Sequence, residues 1–150
     1  MTIALRRANE TDAETLFQWA NDPVTRANSF STAPVQWPEH VAWLARRIQD
    51  AGTRLWLAVV GDDPVGSIRF QTQNNWSTAI LSYQIAPTHR GLGLSRPIVT
   101  EGVRLLRAEY PGVVITAEVK PENARSLAVF RRLNWPETMT EGAHHFVDRH

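Results

Sequence analysis

The segment His89-Arg90-Gly91-Leu92-Gly93-Leu94-Ser95 has the residue types of an anion cradle. Glycine lets a backbone approach a phosphate closely. A helix that starts directly after such a turn aims its unpaired first-turn N–H groups, and the positive end of its dipole, at whatever the turn encloses. The apolar-rich run Ala79 to Ile85 precedes the segment and reads as a strand. A helical pattern follows to about Glu109, with Ile98, Val99, Gly102, Val103 and Leu106 on one face. Strand, glycine turn and helix in that order make an anion site. The segment is not a P-loop, because no Gly-Lys-Ser/Thr follows, and it lacks the third glycine and parallel βαβ setting of the dinucleotide fingerprint. A glycine turn that merely opens an ordinary helix carries the same letters. From the glycines alone both alternatives stand.

The elements that must position this loop can be read on either side of it. Ile3 to Arg7 alternates as a short strand. Thr11 and Glu14 have capping-box spacing and open a helix through Leu16, Phe17, Trp19 and Ala20. Pro23 stops it by disfavouring helical geometry at Asp22. Arg26 to Gln36 is polar and reads as loop, with a helical turn as the alternative. Pro38 suits the first turn of a second helix, in which Val41, Leu44, Ala45 and Ile48 recur at helical spacing. Leu55–Val60, Val65–Gln71 and Ala79–Ile85 are separated by turn residues and predict an antiparallel meander. Pro97 does not break the helix after the loop, since in a first turn its missing N–H has no partner to lose. Val113–Val119, Asn123–Leu133 and Gly142–Val147 predict a strand, a helix and a last strand. The resulting order is β-α-α-β-β-β-α-β-α-β, a mixed α/β arrangement with helices on both faces of the sheet.

Composition narrows the function classes. With 150 residues, 43% of them apolar and 21% charged, the chain can bury a core, and we expect one domain over 1–150. The absence of cysteine excludes disulfides, cysteine nucleophiles and zinc–thiolate sites. A net charge of +1 gives no push toward nucleic acid or membrane. There is no long apolar run and no signal-peptide pattern at Met1-Thr2-Ile3-Ala4-Leu5, so a cytoplasmic location is expected.

The spacing Pro87-x-x-Arg90-x-x-Gly93-x-Ser95 resembles the Arg/Gln-x-x-Gly-x-Gly/Ala loop of the GNAT acetyltransferase superfamily, with Ser95 in place of the usual last glycine or alanine. Ala117-Glu118-Val119, then Asn123, Ser126, Phe130 and Leu133-Asn134-Trp135, is similar to the strand, Asn, helix and Gly-Phe ending of that family, with Asn134-Trp135 in place of Gly-Phe. The resemblance covers nearly the whole chain. It implies a GNAT fold of α+β type, with a mainly antiparallel central sheet of about six to seven strands. It also implies acetyl-CoA as co-substrate, no metal, and direct transfer of acetyl to a primary amine. The implied cofactor-binding residues are Ile85, Arg90, Gly91, Leu92, Gly93, Leu94, Ser95, Asn123, Ser126 and Phe130.

The same resemblance assigns catalytic roles. Glu118, five residues before Asn123, is the candidate general base. Many members carry a tyrosine as general acid seven residues after the Asn, but here that residue is Phe130, which has no proton to give. Either the thiolate leaves unassisted or another group protonates it, and then Tyr83, His144 and His145 are the substitutes, with Tyr83 the preferred one. A role for each as an ordinary structural side chain stays open. So does a non-catalytic acyl-CoA-binding module, given Ser95 and Phe130.

For the acceptor, Asn21, Arg26, Ser29, His40 and Trp43 resemble the amino-terminal pattern of acetyltransferases that act on nucleotide-linked amino sugars. Arg26 is the expected phosphate contact. Related patterns occur in acetyltransferases of protein amino termini and of antibiotics, and core positions for Trp43 and His40 are the plain alternative. The expected partner is a small-molecule amine, with no nucleic acid or membrane, and the chain acts as monomer or homodimer.

Overall fold

The computed structural model describes residues 2–149. Its strands are β1 (Ala4–Arg7), β2 (Thr53–Val60), β3 (Asp63–Gln71), β4 (Thr78–Ile85), β5 (Val114–Val119), β6 (Glu137–Thr140) and β7 (Ala143–Asp148). Its helices are α1 (Ala13–Ala20), α2 (Pro23–Asn28), α3 (Trp37–Gln49), α4 (Ser95–Glu109) and α5 (Ala124–Arg132). The strands form one sheet in the order β1-β2-β3-β4-β5-β7-β6. Every neighbouring pair is antiparallel except β4 with β5. The mixed α/β sheet expected from the sequence is the one observed, with seven strands.

Three local expectations are corrected. The capping box lies at Asn9 and Asp12, not Thr11 and Glu14. Arg6 holds the Asp12 carboxylate with two hydrogen bonds of 2.9 and 2.8 Å, and the Asn9 N–H donates to it at 2.9 Å. A salt-bridged carboxylate in the sheet-facing position outcompetes an exposed Thr/Glu pair. The polar stretch after Asp22 opens with a helix, α2, because Asp22 accepts from the N–H groups of Val24 and Thr25 and Pro23 fills the first turn. Finally, β6 escaped notice because its four residues are all exposed and show no apolar periodicity.

The sheet has a core on each face. Trp56, Ile68, Phe70, Ile98, Leu106, Phe130 and Phe146 pack on the α4 and α5 side. Leu16, Trp19, Leu44, Leu55 and Leu57 pack on the α1 and α3 side. Trp19, Trp56, Trp76 and Trp135 are buried in these cores, whereas Trp37 is exposed and Trp43 half-buried.

The feature that makes room for chemistry is a fork. β4 and β5 pair only from Thr78↔Val114 to Ile80↔Thr116. β4 runs on to Ile85 and β5 to Val119 without pairing to each other. Each stays held on its far side, β4 by Gly66–Gln71 of β3 and β5 by His144–Asp148 of β7. Two strands anchored outward and parted inward leave a gap in the middle of the sheet, with unpaired main-chain groups along it.

Candidate active site

The donor loop sits at the open end of the fork. Ala86 N–H donates to Val65 O at 2.8 Å, so the main chain of Gln84 and Ala86 faces β3. Alternation then turns the main-chain groups of Tyr83 and Ile85 into the fork. The chain passes through the turn Pro87–His89 and enters Gly91 and Gly93 at φ 77° and 73°. These left-handed values are what the two glycines supply. The N–H groups of Leu92, Gly93 and Leu94 donate to no backbone carbonyl among the described residues. No side chain caps α4, which begins at Ser95, so its first-turn N–H groups are open as well. Leu94 anchors the loop, 4% exposed, while Leu92 is 52% exposed. The loop amides, Ser95, Ile85, Asn123, Ser126 and Tyr83 line one cavity of about 190 Å³. All the expected cofactor-binding residues but Leu92 and Phe130 meet there.

The wall opposite the loop is the start of α5. The Asn123 side chain accepts from Ser126 N–H at 3.3 Å and caps the helix. Phe130 is 1% exposed and packs on Phe146, Trp135 and Tyr83 with ring centroids 5.2, 5.0 and 6.1 Å apart. It belongs to the core more than to the cavity. Tyr83 reaches across from β4, edge-on to Phe130, and its hydroxyl meets Ser126 Oγ at 2.7 Å. The hydroxyl that Phe130 of α5 lacks is thus presented beside it from strand β4. Burial pushes the Tyr83 phenol above the ordinary tyrosine range, and contacts with the Ser126 and Ser95 hydroxyls pull it part of the way back. It stays protonated at neutral pH and can donate.

A larger cleft of about 710 Å³ adjoins this cavity, and Tyr83, Gln84, Asn123 and Ser126 line both. Glu118 of β5 lines the cleft, half exposed, with Oε1 3.6 Å from His145 Nδ1. His145 also meets Thr140, and His144 Nδ1 lies 2.6 Å from Glu137 Oε2. Neither histidine lines the cleft, so of the three candidates Tyr83 is the one whose side chain the fold brings to it.

The amino-terminal residues divide into builders and liners. Both ends of the Asn21 amide bond the backbone of Val35, at 2.9 and 2.7 Å. The Arg26 guanidinium donates to the carbonyls of Ala20, Ser31 and Ala33 and to Ser29 Oγ. Four of its five N–H groups are therefore taken. Ser29 Oγ donates in turn to Thr25 O at 2.7 Å. These side chains stand in for the regular backbone bonding that residues 29–36 lack. In place of the expected phosphate contact, Arg26 holds the wall of the cleft in shape. His40 is buried with Nε2 2.9 Å from Ala13 O, and burial pushes its imidazole down, toward the neutral form. Arg26, Ser29, His40 and Trp43 all line the cleft, and Asn21 does not.

Two contacts were not legible in the sequence. Arg90 does not extend into the loop's anion cradle; its guanidinium donates to the Asp22 carboxylate and, at 3.0 Å, to Thr25 Oγ1. Arg90, and after it the N–H groups of Thr25 and Val24, hold the Asp22 carboxyl below the usual carboxylate range. The pair ties the donor loop to α2. Arg69 of β3 also lines the cleft. Its signal was the alternation Ser67, Arg69, Gln71 in a central strand, where a face covered by core is apolar.

The Acetyltransferase (GNAT) domain family matches residues 2–135. No curated protein is recognisably similar to the chain. Solved structures of the same fold include a domain from Methanocaldococcus jannaschii DSM 2661, 20% identical, with a TM-score of 0.84 and 99% of each chain covered. Another is a ribosomal-protein α-N-acetyltransferase in complex with coenzyme A, 15% identical, with a TM-score of 0.82, covering 99% of this chain and 94% of that one. A spermidine N-acetyltransferase from Vibrio cholerae is 17% identical, with a TM-score of 0.83, covering 97% and 92%. With the family matched over most of its length and a fork, loop and cleft in the right order, the chain belongs to the GNAT acetyltransferases.

Proposed function

We propose that this chain transfers the acetyl group of acetyl-CoA to a primary amine on a small molecule, and that the acceptor is a nucleotide-linked amino sugar. The observation that carries the reaction is the fork. It joins a loop of free amides on one side to a cleft holding a proton acceptor and a proton donor on the other. The donor fits what is present: Leu92, Gly93, Leu94 and the first turn of α4 offer unpaired N–H groups to a pyrophosphate, with the helix dipole behind them. The open edge of Tyr83 and Ile85 offers main-chain groups to an amide-bearing arm. Bound acetyl-CoA supplies the acetyl group as an activated thioester.

The chain's own residues then handle two protons. Glu118 accepts one from the ammonium form of the amine, directly or through water, which frees the nitrogen lone pair to form the new C–N bond; the surplus N–H proton passes to solvent as the adduct collapses. Tyr83 O–H gives one to the sulfur as the C–S bond breaks. Amide and thiol leave, and solvent returns the proton from Glu118 to Tyr83. The nucleotide-sugar acceptor is supported by the sequence pattern from Asn21 to Trp43, by the ring of Trp43 in the cleft and by a cleft large enough for more than an amine alone.

Thiol release is measured with acetyl-CoA and a panel of nucleotide amino sugars, free amino sugars, peptides with a free amino terminus, spermidine and an aminoglycoside. Turnover confined to nucleotide amino sugars is the expected result; turnover of another class moves the acceptor to that class. Acetyl-CoA binding without turnover of any amine leaves a non-catalytic binding module. Replacing Glu118 by Gln is expected to depress the rate most at low pH. There the amine is protonated and cannot react without a base, whereas at high pH the free amine forms unaided. A pH–rate profile unchanged by the substitution removes Glu118 from the role.

A further inference from the structure

Three arginines line the cleft: Arg26 is taken up by its wall, Arg46 is exposed, and Arg69 is the covered one that the fold does not use. Arg69 sits in β3, flanked in register by Leu55 of β2 and Ser82 of β4. Its guanidinium carbon lies 5.2 Å from the centroid of the Trp43 ring, which holds it in one orientation. Every other arginine that is largely covered has work in the scaffold. Arg54 pairs with Glu109, Arg107 with Asp148, and Arg90 with Asp22. Arg69 has no carboxylate within 4 Å and no hydrogen-bond partner among the described residues. Burial, and after it the like charge of Arg47, push the Arg69 guanidinium down from its ordinary value. A cation kept half-buried beside another cation, without a counterion, costs stability. Such a cost is retained where the missing partner arrives with a ligand.

The surroundings agree. Ser67 and Gln84 are register partners one step along from Arg69 and Ser82. All four line the cleft, so this stretch of sheet, which would otherwise be a core face, is a strip of hydrogen-bond donors. The same cleft reaches Tyr83 and Glu118. We propose that Arg69, flanked by Ser67, Ser82 and Gln84, is the seat of an oxyanion carried by the acceptor, so that the acceptor is an amine bearing a phosphate or carboxylate. This rests on the acetyltransferase function proposed above, and it moves the phosphate contact from Arg26 to Arg69. It also disfavours polycationic acceptors, because a polyamine or aminoglycoside would set like charge against Arg69.

The test has a binding arm and a turnover arm. In the first, CoA saturates the donor loop, and pyrophosphate or succinate is titrated into the wild-type protein and Arg69→Gln by calorimetry. The wild type is expected to bind one of the two, and the one it binds identifies the oxyanion. Arg69→Gln should bind CoA normally, which shows that it is folded, and lose the second anion. In the turnover arm, two matched pairs are compared: a nucleotide amino sugar with its free amino sugar, and an α-amino acid with its amide. The wild type should favour the anionic member of one pair by about 10- to 100-fold in kcat/KM, the range of charged hydrogen bonds. Arg69→Gln should collapse that ratio, and Arg69→Lys should restore part of it. Anion binding undiminished in Arg69→Gln overturns the proposal. If Arg69→Gln does not fold, the wild type decides: binding of neither anion, or preference for the neutral member of both pairs, also overturns it. Arg69-dependent anion binding without acetylation of any amine leaves the anion seat standing and removes the catalytic function instead.

Discussion

Replacing Tyr83 by Phe lowers kcat by about 10²- to 10⁴-fold, the usual contribution of a positioned general acid. The substitution removes one oxygen and keeps the ring that packs edge-on against Phe130. Packing is conserved, so the fold and the KM for acetyl-CoA should change little. The hydroxyl lost is the one 2.7 Å from Ser126 Oγ, at the boundary between the donor cavity and the acceptor cleft. The pH dependence gives a second readout. A donor must be protonated, so the wild-type rate falls as pH rises through the ionisation of this phenol. Because burial raises that ionisation, the fall comes above the ordinary tyrosine range. The Phe variant should lose the alkaline limb along with the rate. Steady-state kinetics across pH check both, and a kcat within about threefold of wild type returns Tyr83 to a structural role.

Replacing Gly93 by Val weakens acetyl-CoA binding by about 10- to 100-fold while leaving the chain folded. No atom crowds the position: a Cβ built there meets nothing within 4 Å. The penalty is conformational. Gly93 has φ 73°, where a β-branched residue is strained by about 1–3 kcal/mol. The exposed loop can relieve that strain by rotating, and rotation turns the Leu92, Gly93 and Leu94 amides away from the phosphate. The affinity lost is thus of the order of the strain avoided, at 1.4 kcal/mol per tenfold. Quenching of tryptophan fluorescence on titration with acetyl-CoA reads the change, and a melting temperature near wild type separates it from unfolding. An unaltered dissociation constant would mean that the loop does not hold the donor.

The donor site was legible because its parts are contiguous. A turn that needs left-handed backbone must use glycine, and a helix start that receives an anion must leave its amides uncapped. Both constraints act within seven residues, His89 to Ser95, so they appear as a local pattern. Asn134, standing where the resembled pattern has glycine, closes α5 with a φ of 61°. The capping box at Asn9 was harder to see. Its choice depends on Arg6, a strand residue that pairs with Asp12 only once the chain is folded.

The acceptor side was less legible, and the reason is physical. Arg26 and Arg69 are the same residue type with the same charge, so neither type nor charge distinguishes them. What separates them is their neighbours: four acceptors from the wall of the cleft surround Arg26, and none meets Arg69. Likewise the sequence recorded that Phe130 lacks a hydroxyl. Only the fork, which brings β4 against α5, shows that Tyr83 presents one at 2.7 Å from Ser126. By itself, then, the sequence determined the family, the glycine loop and the element order short of α2 and β6, because these rest on periodicity and local backbone geometry. The tertiary structure alone decided which hydroxyl lies beside Phe130 and which covered arginine of the cleft is left without a partner, because those depend on contacts between strands and helices far apart in the chain.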